Sequence, residues 1–183
     1  DLLDDEMDLV LDYALLNDDF NNLPLDERLK LITDLVDRLK NLSSGDSAMM
    51  AAFAATIEEK ARKQLTENIS RLAIDIWDKY AVAYDGVTSE NRGEYLGDTF
   101  VEFTKMMEAI AGEQSKKSDE ERLAEVKRQT ERDRAAIESG KFNPPAQALG
   151  RVFEFMNFEV GGNASPQQRS RGQLMMRDMM RHF

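Results

Sequence analysis

Apolar residues recur every three or four positions along most of this chain, which is the spacing of one face of an α-helix. The clearest run is Leu25, Leu29, Ile32, Val36 and Leu39. No segment alternates apolar and polar residues in the way a half-buried strand does. The pattern predicts an all-α fold, an elongated helical bundle of six or seven helices with one long central helix.

The predicted helices follow one another with short breaks. Their expected ranges are 2–20, 24–42, 47–84, 89–111, 118–139, 144–159 and a last helix that begins near 166. The first break is short enough for the first two helices to form an antiparallel hairpin. We expect a single helical domain over 1–183, made of an acidic N-terminal hairpin (1–42), the long helix with the helices that follow it (47–139), and C-terminal helices (144–183).

The long helix is predicted from a run without proline between Leu25 and Asn143. Proline costs about 3 kcal/mol inside a helix but is accepted in the first turn. The apolar stripe of Ser47–Tyr84 repeats at about 3.67 residues per turn, which favours a straight helix over a left-handed supercoil. Such a helix would be about 57 Å long. Because polar residues crowd Lys60–Asn68, we expect either a break there or an elongated domain.

Several helix ends carry residues with known capping roles. Ser118 with Glu121, and Ser165 with Gln168, have the spacing of a capping box, in which each residue satisfies a backbone N–H of the other. Gly112 stands where the fourth apolar run ends, and glycine is the usual residue just after a helix. These residues predict from the local sequence alone where the helices begin and end.

Composition limits the kinds of partner. The 183 residues include 42% hydrophobic and 32% charged residues, which is typical of a globular chain with a well-solvated surface. The formal net charge is −11, so phosphates of nucleic acids or anionic membranes would be repelled by most of the surface. No apolar run approaches the roughly eighteen residues of a membrane span. We therefore expect a protein partner or self-association, with no nucleic acid and no transmembrane segment.

The charge is unevenly distributed. Eight acidic residues precede Pro24, and no lysine or arginine does. The last nineteen residues carry four arginines and one acid, Asp178. One interpretation is two solvated helix faces. The other is that the two ends attract each other, within the chain or between copies.

The residues needed for common catalytic and metal sites are scarce. The chain has no cysteine and a single histidine, His182, at its end. The Glu-x-x-His pairs of di-iron bundles are missing, and a Ser-His-Asp triad would depend on a terminal histidine that is hard to hold in place. Without cysteine, thiolate metal sites and thiol nucleophiles are excluded. The sequence therefore predicts no catalytic, cofactor-binding or metal-binding residue.

A third hypothesis is a helical-bundle enzyme or apolar-ligand binder that uses carboxylates, supported by the many acidic residues and the aromatic-rich helices. Asp75 lies beside the apolar stripe, where a carboxyl group would be partly buried with a shifted pKa; the alternative is a solvent-facing residue on a wide helix. Trp77, Tyr80 and Tyr84 share one face of the helix, and aromatic residues at that spacing are typical of a core.

The most unusual stretch is the C-terminal one. Its candidate partner-binding residues are Leu174, Met175, Met176, Arg177, Met179, Met180 and Arg181. Methionine packs adaptably, so a helix of this composition suits a partner's groove. The alternative is a last core helix whose outer face is rich in arginine.

These observations favour a non-enzymatic helical scaffold or adaptor that mediates protein–protein interaction. A second hypothesis is the soluble domain of an envelope or membrane-anchored protein, because the sequence begins with Asp1 instead of methionine. The compartment is accordingly either the cytoplasm or, if an N-terminal segment has been removed, the cell envelope.

Overall fold

The computed structural model describes residues 18–43, 59–112, 115–138 and 163–183. This part of the chain forms five α-helices and a short 3₁₀ helix, and it contains no strand. The 3₁₀ helix is Asp18–Asn22, and the α-helices are α1 (Leu25–Ser43), α2 (Glu59–Tyr84), α3 (Arg92–Ala111), α4 (Asp119–Glu138) and α5 (Pro166–His182). The prediction of an all-α fold is confirmed.

Most predicted helix ends agree with the structure. Helix α1 follows Pro24, and α2 ends at Tyr84 after running without a break through Lys60–Asn68. Helix α3 begins at Arg92 and not at Ser89, because the residues before it form a turn in which the Asn91 N–H donates to the Thr88 carbonyl at 3.0 Å. The predictions for 2–17, 44–58 and 144–159 fall on residues outside the described ranges.

The capping residues act as the sequence predicts. The Glu121 N–H donates to Ser118 Oγ at 3.2 Å, and the Ser118 N–H donates to Glu121 Oε2 at 2.8 Å, so the capping box of α4 is complete. Gly112 follows α3 with φ of +73°, a left-handed conformation that glycine adopts without steric cost. A Cβ at Gly112 would also lie 3.1 Å from Val36 Cγ1, so the site has little room for a side chain.

The chain divides into two compact units. Unit 1 comprises Asp1–Asp75 and Met106–Gln114, and unit 2 comprises Ile76–Lys105 and Ser115–Phe183. Helices α2 and α3 each contribute residues to both units. The single helical domain expected from the sequence stays a prediction.

In unit 1, the described core combines apolar side chains with one fully buried amide. Phe20, Ile32 and Leu72 are at most 1% exposed, and Asn68 is 0% exposed. Asn68 Oδ1 accepts hydrogen bonds from Asn21 Nδ2 at 2.8 Å and from Gln64 Nε2 at 3.1 Å. A buried amide without partners would cost about 1–3 kcal/mol. The Asn21 bond also ties the 3₁₀ helix to α2, whereas the Gln64 bond lies within α2.

In unit 2, aromatic pairs join the end of α2 to α3. The Trp77 and Phe103 rings meet edge-on with centroids 4.9 Å apart, and Tyr84 stacks on Tyr95 at 5.9 Å. Residue numbers rise along one helix as they fall along the other, so the two helices are antiparallel here. Helix α4 also runs antiparallel to α3, because Lys105 pairs with Asp119 at 2.6 Å while Gly97 faces Leu123.

Candidate functional site

Helix α5 carries the sequence-predicted partner-binding residues, and its own sequence defines its start. Ser165 Oγ accepts from the Gln168 N–H at 3.2 Å, and Gln168 Oε1 accepts from the Ser165 N–H at 3.0 Å. Pro166 occupies the first turn, where its missing N–H has no intrahelical role. At the other end, the Phe183 N–H donates to the Met179 carbonyl at 3.1 Å. The helix therefore ends at His182, with Phe183 as its C-terminal cap.

The seven predicted residues divide between two sides of α5. Met175 and Met179 are 0% exposed and Met176 is 5% exposed, so these three belong to the core of unit 2. Phe183 is also buried, with its ring edge-on to Phe100 at a centroid distance of 5.6 Å. The four other predicted residues lie on the solvent side, and they are Leu174, Arg177, Met180 and Arg181.

We call these four solvent-side residues the 174–181 face. Leu174, Arg177 and Met180 are spaced by three, and Arg181 follows Arg177 by four, so all four side chains share one side of the helix. Leu174 is 39% exposed and Met180 is 44% exposed, which is high for large apolar side chains. Arg177 forms a salt bridge with Asp178 at 3.2 Å, whereas no described residue pairs with Arg181.

Three polar contacts hold α5 against the end of α2. Arg171 and Asp78 form a two-pronged ion pair, with Nε to Oδ1 at 2.9 Å and Nη2 to Oδ2 at 2.8 Å. The Trp77 indole N–H donates to the Gly172 carbonyl at 3.4 Å, and the Tyr84 hydroxyl donates to Asp178 Oδ2 at 3.1 Å. Residue numbers rise together along both helices, so α5 runs parallel to α2 in unit 2. Such paired contacts fix α5 in both rotation and translation.

A third exposed apolar side chain, Val82, lies on α2, the helix against which α5 packs. Val82 is 53% exposed and follows Asp78 by one turn of α2, while Leu174 follows Arg171 by one turn of α5. Because Asp78 and Arg171 are in contact and the helices are parallel, helical spacing predicts that Val82 and Leu174 lie on the same outer edge of the helix pair. This edge can bury apolar surface against a partner while the arginines select for carboxylates.

The tyrosines of unit 2 are hydrogen-bond donors with raised pKa values. Burial raises the pKa of Tyr80, Tyr84 and Tyr95. The Tyr80 hydroxyl donates to Glu102 at 2.8 Å and the Tyr84 hydroxyl to Asp178, which raises both pKa values further because a carboxylate opposes a phenolate. The Tyr95 hydroxyl donates to the Tyr80 carbonyl at 2.8 Å. Each of the three hydroxyls therefore joins two helices of unit 2 as a hydrogen-bond donor.

We expect unit 2 to lose stability as the pH rises above about 10. An unfolded tyrosine titrates near pH 10, and the folded pKa values of Tyr80, Tyr84 and Tyr95 are higher. Below that pH both states are protonated and the stabilisation is complete; above it the unfolded chain loses protons first, so stability falls. Urea unfolding measured across this range should show the decline. In the variant Tyr80→Phe, the free energy of unfolding should decline less steeply with pH. A decline as steep as that of the unmodified chain would contradict the raised pKa assigned to Tyr80.

Other sequence candidates have structural roles in the described residues. Asp75 is half-buried and accepts from Arg28 Nη2 at 2.8 Å in unit 1, a partner that no sequence pattern indicated. Trp77 is 2% exposed and belongs to the core of unit 2. His182 is exposed and its ring lies against Gly93, where an added Cβ would come within 2.7 Å of it.

The described residues contain neither a metal-binding cluster nor a membrane-spanning helix. No group of three or more acidic or histidine side chains there is arranged to hold a metal ion. Within the same residues, no helix combines the length and apolar character needed to cross a membrane.

Comparison with known proteins does not extend this description. The chain matches no protein-family model, and neither a curated protein nor a solved structure is significantly similar to it. The proposed function therefore rests on the side chains of α5 and of the end of α2.

Proposed function

We propose that this chain is a non-enzymatic helical scaffold or adaptor that binds another protein through the 174–181 face, with Val82 at its edge. The observation that carries the proposal is the exposure of Leu174 and Met180 beside Arg177 and Arg181 on one side of a helix. Methionine and arginine are enriched at protein–protein interfaces and lysine and glutamate are depleted there, so Met180, Arg177 and Arg181 favour a protein partner.

The packing of α5 supports this role because it holds the face in place before binding. Buried Met175, Met176 and Met179 lie behind it, and the Arg171–Asp78 pair locks the helix to α2. Binding then costs little conformational entropy in this helix, so more of the interaction free energy appears as affinity. Three of the four methionines that suggested an adaptable groove binder are buried behind the face, and the exposed apolar side chains of the face are Leu174 and Met180.

The proposal also includes the number and arrangement of the helices. We expect the complete chain to form six or seven helices in one elongated bundle with a long central helix, as the apolar pattern predicts. Five of these helices lie in the described part, and the remaining predictions concern residues outside it.

The double variant Leu174→Glu/Met180→Glu tests the binding face. We expect at least about tenfold weaker binding of a captured partner, because two apolar anchors are replaced by charges that repel carboxylates. Partners would be captured on the tagged chain from cells that express it, purified, and titrated against each variant by calorimetry.

The matched control is Ala124→Glu/Ala135→Glu, which adds the same charges at exposed positions of α4. It should bind as the unmodified chain does. Circular dichroism must show that both variants keep their helix content. Equal binding by the two double variants would refute the proposed function.

A further inference from the structure

The solvent side of α5 is positively charged, although the chain as a whole has a formal charge of −11. The exposed residues of α5 include Arg169, Arg177 and Arg181 and no acidic residue. The one carboxylate of this helix, Asp178, is half-buried and accepts hydrogen bonds from Tyr84 and Arg177. A surface of this kind favours a partner that presents carboxylates together with apolar side chains.

The beginning of the chain has that chemistry. Residues 1–16, which we call the acidic segment, contain six acidic residues and no lysine or arginine. Leu3, Met7, Val10 and Ala14 recur within it at helical spacing. The acidic segment lies outside the described residues. Its complementarity to the 174–181 face therefore rests on its charge and on the spacing of its apolar residues.

We propose that the 174–181 face binds the acidic segment of a second copy of the chain. This inference rests on the proposed function and adds a second copy of the chain as a partner of the same face. Leu174 and Met180 contact the apolar side of the segment, and Arg177 and Arg181 pair with its carboxylates. In a two-fold dimer each copy supplies one segment and one face, so the contact forms twice.

The unmodified chain should form a dimer whose population rises with concentration. Sedimentation velocity over a dilution series measures the dissociation constant directly. Because the contact pairs exposed charges, raising NaCl from about 50 mM to about 500 mM should weaken the dimer at least about tenfold. The variant Leu174→Glu/Met180→Glu should be monomeric under the same conditions.

A charge exchange tests which surfaces meet. The face variant is Arg177→Glu/Arg181→Glu, and the segment variant is Asp4→Lys/Asp5→Lys/Asp8→Lys/Asp12→Lys, which leaves two acids beside four lysines in residues 1–16. Each variant alone should be monomeric, because its face and its segment then carry the same sign of charge. An equimolar mixture should form a heterodimer, since each face again meets a segment of opposite charge.

The control Lys127→Glu/Arg128→Glu reverses two exposed charges on α4 and should dimerise as the unmodified chain does. A monomeric unmodified chain overturns the inference, and so does a mixture of the two variants that stays monomeric. Neither result contradicts the proposed function. That proposal fails only if Leu174→Glu/Met180→Glu binds a foreign partner as strongly as the control Ala124→Glu/Ala135→Glu does.

Discussion

Replacing Trp77 with alanine is expected to lower the free energy of unfolding by about 3–5 kcal/mol. The side chain is 2% exposed, lies edge-on to Phe103, and donates its indole N–H to the Gly172 carbonyl. Truncation removes a large buried apolar group, leaves a cavity between α2, α3 and α5, and takes away the hydrogen bond. Urea unfolding followed by far-ultraviolet circular dichroism would measure the loss.

Two companions of this variant separate the contributions. Trp77→Phe keeps most of the apolar volume and should cost about 1–2 kcal/mol, part of which is the lost hydrogen bond. Val82→Ala, on the exposed side of the same helix, should change stability by less than about 0.5 kcal/mol. A loss for Trp77→Ala no larger than that for Val82→Ala would show that Trp77 does not have the central packing role assigned to it.

Replacing Asp75 with alanine is expected to lower the free energy of unfolding by about 2–3 kcal/mol. Its partner Arg28 has a side chain only 6% exposed, and the Arg28 Nε and Nη1 groups are buried with no hydrogen-bond partner among the described residues. Removing the carboxylate would leave a buried positive charge without compensation. Because Asp75 itself is 36% exposed, water offsets part of the loss, and the figure is below that of a fully buried pair.

The double variant Arg28→Met/Asp75→Ala provides the check on this reasoning. It removes the buried charge together with its partner, so it should be less destabilised than Asp75→Ala alone. Asp34→Ala, an exposed acid on α1, should have little effect. If the losses measured separately for Arg28→Met and Asp75→Ala simply add in the double variant, the ion pair is not the source of the effect.

Local signals made the helix boundaries predictable. Ser165 with Gln168 and Ser118 with Glu121 place the starts of α5 and α4, and Gly112 places the end of α3, because each acts on its own backbone neighbours. The start of α3 was misplaced by a few residues, since a turn and a first helical turn have similar composition.

The candidate site could be predicted only in part. Periodicity shows that Met175, Met179 and Phe183 share one face and that Met176 and Met180 share the next. It does not show that Met176 is buried while Met180 is 44% exposed, because that depends on where α2 and α3 lie. The burial of Arg28 had no sequence signal either, since its partner is Asp75, 47 positions away.

The indole of Trp77 has a spectroscopic consequence, because it is the single tryptophan of the chain. Its N–H is bonded to a backbone carbonyl of α5, and its ring is shielded from water. Any state in which α5 leaves α2 would expose that ring and shift its fluorescence emission to longer wavelength. The unmodified chain thus contains its own reporter of whether the helix that supports the 174–181 face is in place, and a partner's effect on that helix can be followed without a label.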